Sequence, residues 1–259
     1  MPRSLAGSTP PYRNGLLFIR RCGLMNAVQE YRVRVIETIH RGARAVSARF
    51  ERPEGFSYLP GQWAFATIER DGAALTRHLT LSSSPTEPFL EMTKGMTGNP
   101  FAEAFRSLAP GDEVTLRGPK GRFTLQQEDE DVVFVSGGIG ITPLRSMARS
   151  AADTHLWTHI LLLYSARTTD DLVFADQFEE LQAANPLFSF RVTLTRPDPG
   201  WQGQTGRIDR VFLEREVPDF RGRAFYVSGP PAMVDAITAS LAEMGVPDGQ
   251  VRREVFTGY

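Results

Sequence analysis

The hydrophobic pattern of this 259-residue chain changes period once, near residue 129, and that change limits the fold more than any single motif. Before it, apolar residues recur at every second position. Tyr31, Val33 and Val35 alternate with Arg32 and Arg34, and Val46, Ala48 and Phe50 alternate with Ser47, Arg49 and Glu51. The same reading covers Trp63 to Ile68, His78 to Leu81, Phe89 to Thr93 and Val114 to Leu116. Successive side chains of a strand face opposite sides of a sheet, so short alternating runs cut by Gly, Pro and Asp predict an antiparallel barrel or sandwich. One helix interrupts the strands, expected from Pro100 to Leu108, with Asn99 as its N-cap and the proline in the first turn, where an N–H is not needed.

Beyond the acidic stretch Gln126 to Asp131, strand and helix alternate. Val132 to Val135 reads as a fully buried strand; Ile141, Leu144, Ala148 and Ala151 share one helical face; His159 to Tyr164 is the next strand. Phe190 to Leu194 and Phe225 to Val227 are further strands, and Met233, Ile237, Leu241 and Met244 share a second helical face. This alternation predicts a parallel sheet covered on both sides. The expected division is an all-β antiparallel domain over residues 25–128 and an α/β parallel-sheet domain over 129–259. Residues 1–24 hold Pro2, Gly7, Pro10, Pro11 and Asn14 without either period, and are expected to be a flexible extension or sequence upstream of a start at Met25.

Composition narrows the function. A 41% hydrophobic content can furnish a core for each domain. The formal net charge is −1, yet Arg3, Arg13, Arg20 and Arg21 stand in the first 24 residues without an acid, so the rest of the chain is acidic and lacks the basic surface that nucleic acid requires. Cys22 is the one cysteine, which excludes an internal disulfide and a four-cysteine iron–sulfur cluster held by this chain alone. His155 and His159 have the spacing of a metal pair but no third ligand nearby, and no metal site is expected. No apolar run approaches the length of a membrane helix, and a cytoplasmic location is expected. A Gly-x-Ser-x-Gly elbow is lacking, which argues against a serine hydrolase of the usual α/β kind.

Chemistry is concentrated in four segments. Val132 to Leu144 runs from a buried strand into Gly137, Gly138 and Gly140 and then into a helix. Such a turn lets the backbone approach a pyrophosphate at a helix N-terminus, although it also serves as a tight strand-to-helix connection. The next strand ends in Tyr164-Ser165-Ala166-Arg167, where dinucleotide folds place an acid against the ribose. An arginine there suits a 2′-phosphate and favours NADPH over NADH, unless Arg167 is a solvated loop charge. A second glycine turn, Ser228-Gly229-Pro230-Pro231-Ala232-Met233, again ends an apolar strand and opens a helix. In the β half, Arg77-His78-Leu79-Thr80-Leu81-Ser82-Ser83-Ser84-Pro85 sets a guanidinium and hydroxyls along a strand, with 77 and 79 on one face and 78 and 80 on the other; it reads equally as a solvent-edge strand with a serine-rich turn.

In this order the motifs resemble the ferredoxin–NADP reductase superfamily, from about residue 30 to the last residue. Arg77-x-Leu79-Thr80 is similar to its Arg-x-Tyr-Ser/Thr flavin motif, Gly137 to Pro143 to its Gly-Gly-x-Gly-x-Thr-Pro, and Ser228 to Met233 to its Cys-Gly-Pro-Pro-x-Met. Gly118 to Phe123 and the ending Glu254 to Tyr259 are similar as well. The resemblance implies a flavin-binding Greek-key barrel followed by an NAD(P)-binding domain, with FAD favoured over FMN as cofactor and NADPH or NADH as substrate. It implies that Arg77 pairs with the flavin phosphate, that Thr80 hydrogen-bonds near the flavin N5 and that Leu79 stands where the family has a ring-packing tyrosine. Thr93, Lys94, Gly98 and Asn99, leading into the helix, would hold the pyrophosphate, and Phe256 or Tyr259 would cover the ring. Gly137, Gly138, Gly140, Ile141, Thr142 and Pro143, with Ser165, Arg167, Gly229, Pro230 and Met233, would bind the nicotinamide nucleotide. Ser228, in place of the family cysteine, would position the nicotinamide, and Thr80 and Glu254 would supply hydrogen bonding and proton relay.

The implied activity is an NAD(P)H-dependent flavoprotein reductase that passes electrons to a separate acceptor such as a ferredoxin or an oxygenase component. Two alternatives are a reductase of free flavin or ferric chelates, and a non-catalytic nucleotide-binding subunit of an electron-transfer complex.

Overall fold

The computed structural model describes residues 29–257; the expected extension over 1–24 and Tyr259 lie outside them. The first half is a six-stranded antiparallel sheet of β1 (Gln29–Arg41), β2 (Ala45–Glu51), β3 (Trp63–Arg70), β4 (Ala73–Thr80), β5 (Phe89–Gly95) and β6 (Glu113–Lys120), in the order β4-β3-β6-β1-β2-β5. Strand β1 serves two neighbours. Its first half, from Gln29 to Arg34, pairs with β6, and after an irregularity between Val35 and Glu37 its second half pairs with β2. That bend curls the sheet, as bulges do, until Leu81, just past β4, bridges Met92 of β5. The barrel expected from the period-two pattern is thus a curled half-barrel whose two edge strands meet at one bridge. Its inside is packed by Val33, Phe50, Ala64, Leu81, Leu90, Met92 and Leu116, and closed by Phe101 and Phe105 of helix α1 (Pro100–Arg106). Asn99 caps α1 by accepting from the Ala102 N–H at 2.9 Å, and the helix stops two residues short of the expected Leu108.

Strand β4 begins five residues earlier than the expected His78. Its connection to β3 is Asp71-Gly72, both with positive φ (52° and 76°), the two-residue turn whose twist matches that of the strands it joins. The 73–76 stretch escapes a period-two reading because Ala73 and Ala74, on opposite faces, are both exposed and Leu75 and Thr76 are both half-buried.

The second half is a parallel sheet in the order β10-β9-β8-β7-β11-β12, made from β7 (Asp131–Gly137), β8 (His159–Ala166), β9 (Phe188–Leu194), β10 (Gln204–Thr205), β11 (Ala224–Gly229) and β12 (Val251–Val255). Helices α2 (Ile141–Asp153) and α3 (Ala175–Ala184) cover one face over Phe134, Leu162 and Tyr226. Helices α4 (Arg210–Glu216) and α5 (Pro231–Glu243) cover the other over Val133, Val135 and Val227. Burial on both faces explains why β7 is apolar without alternation. The chain winds outward one way through β8 and β9 and then returns to the far side of β7 as β11, so the winding reverses between β7 and β11, where open parallel sheets bind ligands.

The halves are joined by polar contacts. Arg145 of α2, 5% exposed, grips both Glu87 carboxylate oxygens, donates to the Ser82 carbonyl at 3.0 Å and to Gln177 Oε1 at 2.8 Å. Ser146 Oγ donates to the Ser83 carbonyl at 2.6 Å. Phe174, left-handed at φ 65°, lies under the guanidinium groups of Arg41 (4.6 Å) and Arg145 (5.5 Å). Removing one partner of a buried pair leaves the other charge uncompensated. Arg145→Met is therefore expected to lower the unfolding free energy by about 3 kcal/mol, read from urea unfolding of the whole chain; a loss below about 0.5 kcal/mol, the range of an ordinary surface change, would contradict the clamp.

Candidate functional site

A cleft opens between the two halves. The barrel contributes Trp63, Arg77, His78, Leu79 and Thr80 from β3 and β4, and Thr93, Lys94, Gly95 and Asn99 from β5 and the N-cap of α1. The second half contributes Ile139 and the run Glu254 to Thr257. Eight residues expected at a flavin site therefore meet in one place from four separate segments: Arg77, Leu79, Thr80, Thr93, Lys94, Asn99, Glu254 and Phe256. Gly98 adjoins the cleft without lining it, with its φ at +69°.

The alternation expected in β4 holds for Leu79, which packs in the barrel core and pairs with Ala64. Thr80, next along the strand and on the outer side, is nevertheless only 5% exposed. His78 is exposed and tilts its ring towards Trp63, 5.4 Å between centroids. Arg77 is exposed and donates to the carbonyl of Thr76 at 2.8 Å. Burial, and then the charge of Arg77, hold the Lys94 ammonium below its ordinary pKa. Two cations are thus set side by side, and Glu254 is the one acid among the lining residues. Burial raises the Glu254 carboxyl above the usual range, so it keeps its proton to higher pH than an exposed glutamate. A wall of apolar groups next to paired cations matches a flat aromatic ring carrying a phosphate tail, and the residues present fit a flavin nucleotide.

The glycine turns lie at the carboxyl edge of the parallel sheet, at the reversal point, and differ in what they do. A side chain on Gly140 would put its Cβ 2.5 Å from the Gly229 Cα and the Ser228 carbonyl, so this glycine lets the two turns touch. Gly138 has φ +54° and open space where a Cβ would stand, while its carbonyl accepts from the Tyr164 hydroxyl at 3.1 Å. Gly137 makes room for Met233, and Phe256 is tied to the second turn by its N–H to the Gly229 carbonyl at 2.9 Å. Ile141, Thr142 and Pro143 form the first turn of α2 and are buried, whereas Ser165 and Pro230 are partly exposed and Arg167 is exposed at the end of β8. Ser228 does not line the cleft. It is fully buried opposite Ser136 in the sheet register, and neither hydroxyl has a hydrogen-bond partner among the described residues.

The buried and half-buried polar residues Arg41, Ser47, Ser82, Glu91 and Arg145 behind the cleft were not expected from sequence. Their strand and helix periods place them on outer faces, at the seam where Arg145 and Phe174 of one half meet Glu87, Ser82 and the half-buried Arg41 of the other.

Comparison with known proteins accounts for this arrangement. Residues 30–125 match the model of the oxidoreductase FAD-binding domain, and residues 134–239 that of the oxidoreductase NAD-binding domain. The chain belongs to the two-domain FAD- and NAD-binding oxidoreductases with the ferredoxin–NADP reductase fold. It is 31% identical over 216 residues to the glycine betaine monooxygenase reductase subunit of Chromohalobacter salexigens, covering 80% of this chain and 58% of that one. It is 37% identical over 158 residues to one subunit of the Na(+)-translocating NADH-quinone reductase of Klebsiella pneumoniae, covering 59% of this chain and 39% of that one. This chain thus spans little more than half of the first relative and less than half of the second. In fold it is similar to a ferredoxin NADP+ reductase of Neisseria gonorrhoeae solved with FAD and NADP, with a TM-score of 0.78, 19% identity, and coverage of 88% of this chain and 99% of that one.

Because the Gly140 contact is backbone against backbone, it cannot relax by a side-chain rotation. Gly140→Ala is expected to cost about 2 kcal/mol and to weaken nicotinamide-nucleotide binding at least tenfold while FAD is retained, read by nucleotide titration of the flavin-loaded protein. Unchanged nucleotide affinity would remove the turn-to-turn contact from the binding site.

Proposed function

We propose that this chain is a reductase component that takes reducing equivalents from NAD(P)H and delivers them to a separate redox protein. The observation that carries the reading is the single cleft in which Arg77, Thr80 and Lys94 of the barrel meet Ile139 and Glu254 of the nucleotide-binding half, next to the point where the sheet reverses. FAD, when bound, supplies the chemistry by taking a hydride from the nicotinamide and giving up electrons one at a time.

The residues of the chain bind, orient and exclude water. Arg77 and Lys94 hold the flavin phosphates, which offset the repulsion between the two cations. Thr80, rigid because it is buried, holds the reactive edge of the ring through its hydroxyl, and Leu79 gives the ring an apolar neighbour in place of an aromatic one. The half-buried Glu254, whose carboxyl burial raises above the usual range, lines the cleft as a group able to hold and pass a proton. Phe256 screens the cleft from water. The Ser228 hydroxyl, buried at the second glycine turn without a hydrogen-bond partner among the described residues, is a reserve hydrogen-bonding group for positioning the nicotinamide. The open side of the turn at Gly138 and the N-terminus of α2 receive the nucleotide pyrophosphate.

That the acceptor is a separate protein is supported by two relatives that are each named as one subunit of a larger system. The single cysteine fits work in a reducing compartment such as the cytoplasm. Among the described residues, no helix is long and apolar enough to cross a membrane.

NADPH is the expected donor. Arg167 and Arg196 stand exposed at the ends of β8 and β9, joined by a backbone hydrogen bond of 2.8 Å, at the carboxyl edge of the sheet where an adenosine would lie. A charge-assisted hydrogen bond contributes about 1.5–3 kcal/mol. Arg167→Ala should raise KM for NADPH by about tenfold and leave KM for NADH unchanged, measured by reduction of an artificial acceptor. An equal effect on both, or none on either, would contradict a 2′-phosphate site at Arg167.

A further inference from the structure

Directly behind the cleft, five side chains form a closed ring of hydrogen bonds on the outer face of the barrel, buried by the nucleotide-binding half. Arg41 Nε donates to Ser47 Oγ at 3.1 Å; Ser47 Oγ and Thr93 Oγ1 are 2.8 Å apart; Thr93 Oγ1 and Ser82 Oγ are 3.0 Å apart. Ser82 Oγ donates to Glu91 Oε1 at 3.0 Å, and Glu91 Oε2 accepts from Arg41 at 3.3 Å and from Arg49 at 2.9 Å. Ser47, Ser82 and Glu91 are wholly buried and Thr93 is 4% exposed, so water does not complete these bonds.

The direction of every bond in the ring is set by its ends. A carboxylate between two guanidinium groups only accepts, and a guanidinium only donates. Ser82 has one hydrogen and gives it to Glu91, so its contact with Thr93 is a bond that it accepts. Thr93 therefore spends its single hydrogen on Ser82, and Ser47, which accepts from Arg41, gives its own hydrogen to Thr93. The donors thus run in one direction from Arg41 through Ser47, Thr93 and Ser82 to Glu91, while Arg41 also donates to Glu91 directly, and hydroxyls aligned in a chain reinforce one another. The consequence falls on Thr93, which lines the cleft: its hydroxyl has no hydrogen left and keeps one lone pair.

We infer that Thr93 is an acceptor-only contact for the flavin and takes the N3–H of the isoalloxazine ring. This rests on the flavin reading of the cleft. The phosphates offer oxygen acceptors and cannot satisfy Thr93, which separates it from Lys94 and Asn99, its neighbours in the segment expected to hold the pyrophosphate. Among the polar atoms of the oxidised ring, N1, O2, O4 and N5 are acceptors, and N3–H is the one donor. The ring of side chains thus acts as a positioning device. Glu91, Arg41, Ser47 and Ser82 fix the polarity of a group that reads the flavin, and the carbonyl of Ser82 ties the same device to Arg145 in the nucleotide-binding half.

The test compares the affinities of the full chain, freed of flavin, for FAD and for FAD methylated at N3, which differ at this one donor. Wild type should bind the methylated cofactor about tenfold more weakly, the scale of one buried hydrogen bond. Thr93→Val should bind FAD about tenfold more weakly and no longer distinguish the two, and Thr93→Ser should restore both. Ser82→Ala, which releases the Thr93 hydrogen without altering the cleft lining, should reduce the discrimination in the same direction, and keeps the test decisive if Thr93→Val does not fold. Equal affinity of wild type for the two cofactors, or discrimination undiminished in Thr93→Val or Ser82→Ala, would overturn the inference. Failure of wild type to bind either cofactor would instead overturn the flavin reading itself.

Discussion

The grip of Arg145 on Glu87 is the contact on which the site depends, because the cleft has no existence within either half alone. One wall comes from antiparallel strands and the other from the carboxyl edge of a parallel sheet. Their spacing must hold to within a fraction of an ångström for two bound rings to meet in register. A guanidinium fork against a carboxylate is suited to that, since it fixes orientation as well as distance. The same arginine also donates to Ser82 and Gln177 and lies beside Phe174, so it joins the barrel to both helices on that face of the sheet. Phe174 keeps a left-handed backbone while wholly enclosed, a conformation that persists where the surroundings over-determine it.

Burial of polar groups at this seam has a second effect. Glu91, Ser47 and Ser82 belong to the outside of the barrel by strand period, where water would ordinarily satisfy them. Docking removes the water and leaves the groups to satisfy one another, which gives each hydroxyl a fixed direction. Thr93, at the edge of the network and of the cleft, inherits that direction. At the carboxyl edge of the sheet the reverse holds: the hydroxyls of Ser136 and Ser228 are buried with no hydrogen-bond partner among the described residues.

Much of this is legible in the sequence because it depends on local pattern. The change of period near residue 129 separates an antiparallel sheet from a parallel one, and Gly137 to Pro143 and Ser228 to Met233 mark the two turns at its reversal. Asn99 is legible as a cap because capping is a local bond. The Asp71-Gly72 hairpin escapes a reading by period although its turn signal is present, since β4 opens with residues exposed on both faces. Arg145, Arg41 and Glu91 carry no readable signal. A charge on an amphipathic helix or on the outer side of a strand looks like a solvated one until another domain covers it. Thr80 is buried for the same reason, and strand alternation gives its side of the sheet but not what lies over it.

The central claim is that the two halves bring a nicotinamide nucleotide and a flavin together in the cleft. It is tested most directly by anaerobic addition of NADPH, and separately NADH, to the purified flavin-loaded protein while the visible flavin absorbance is followed. The absorbance is expected to be lost in proportion to the nucleotide added, at lower concentrations of NADPH than of NADH. A protein that holds FAD but keeps its colour in excess of both nucleotides would contradict it.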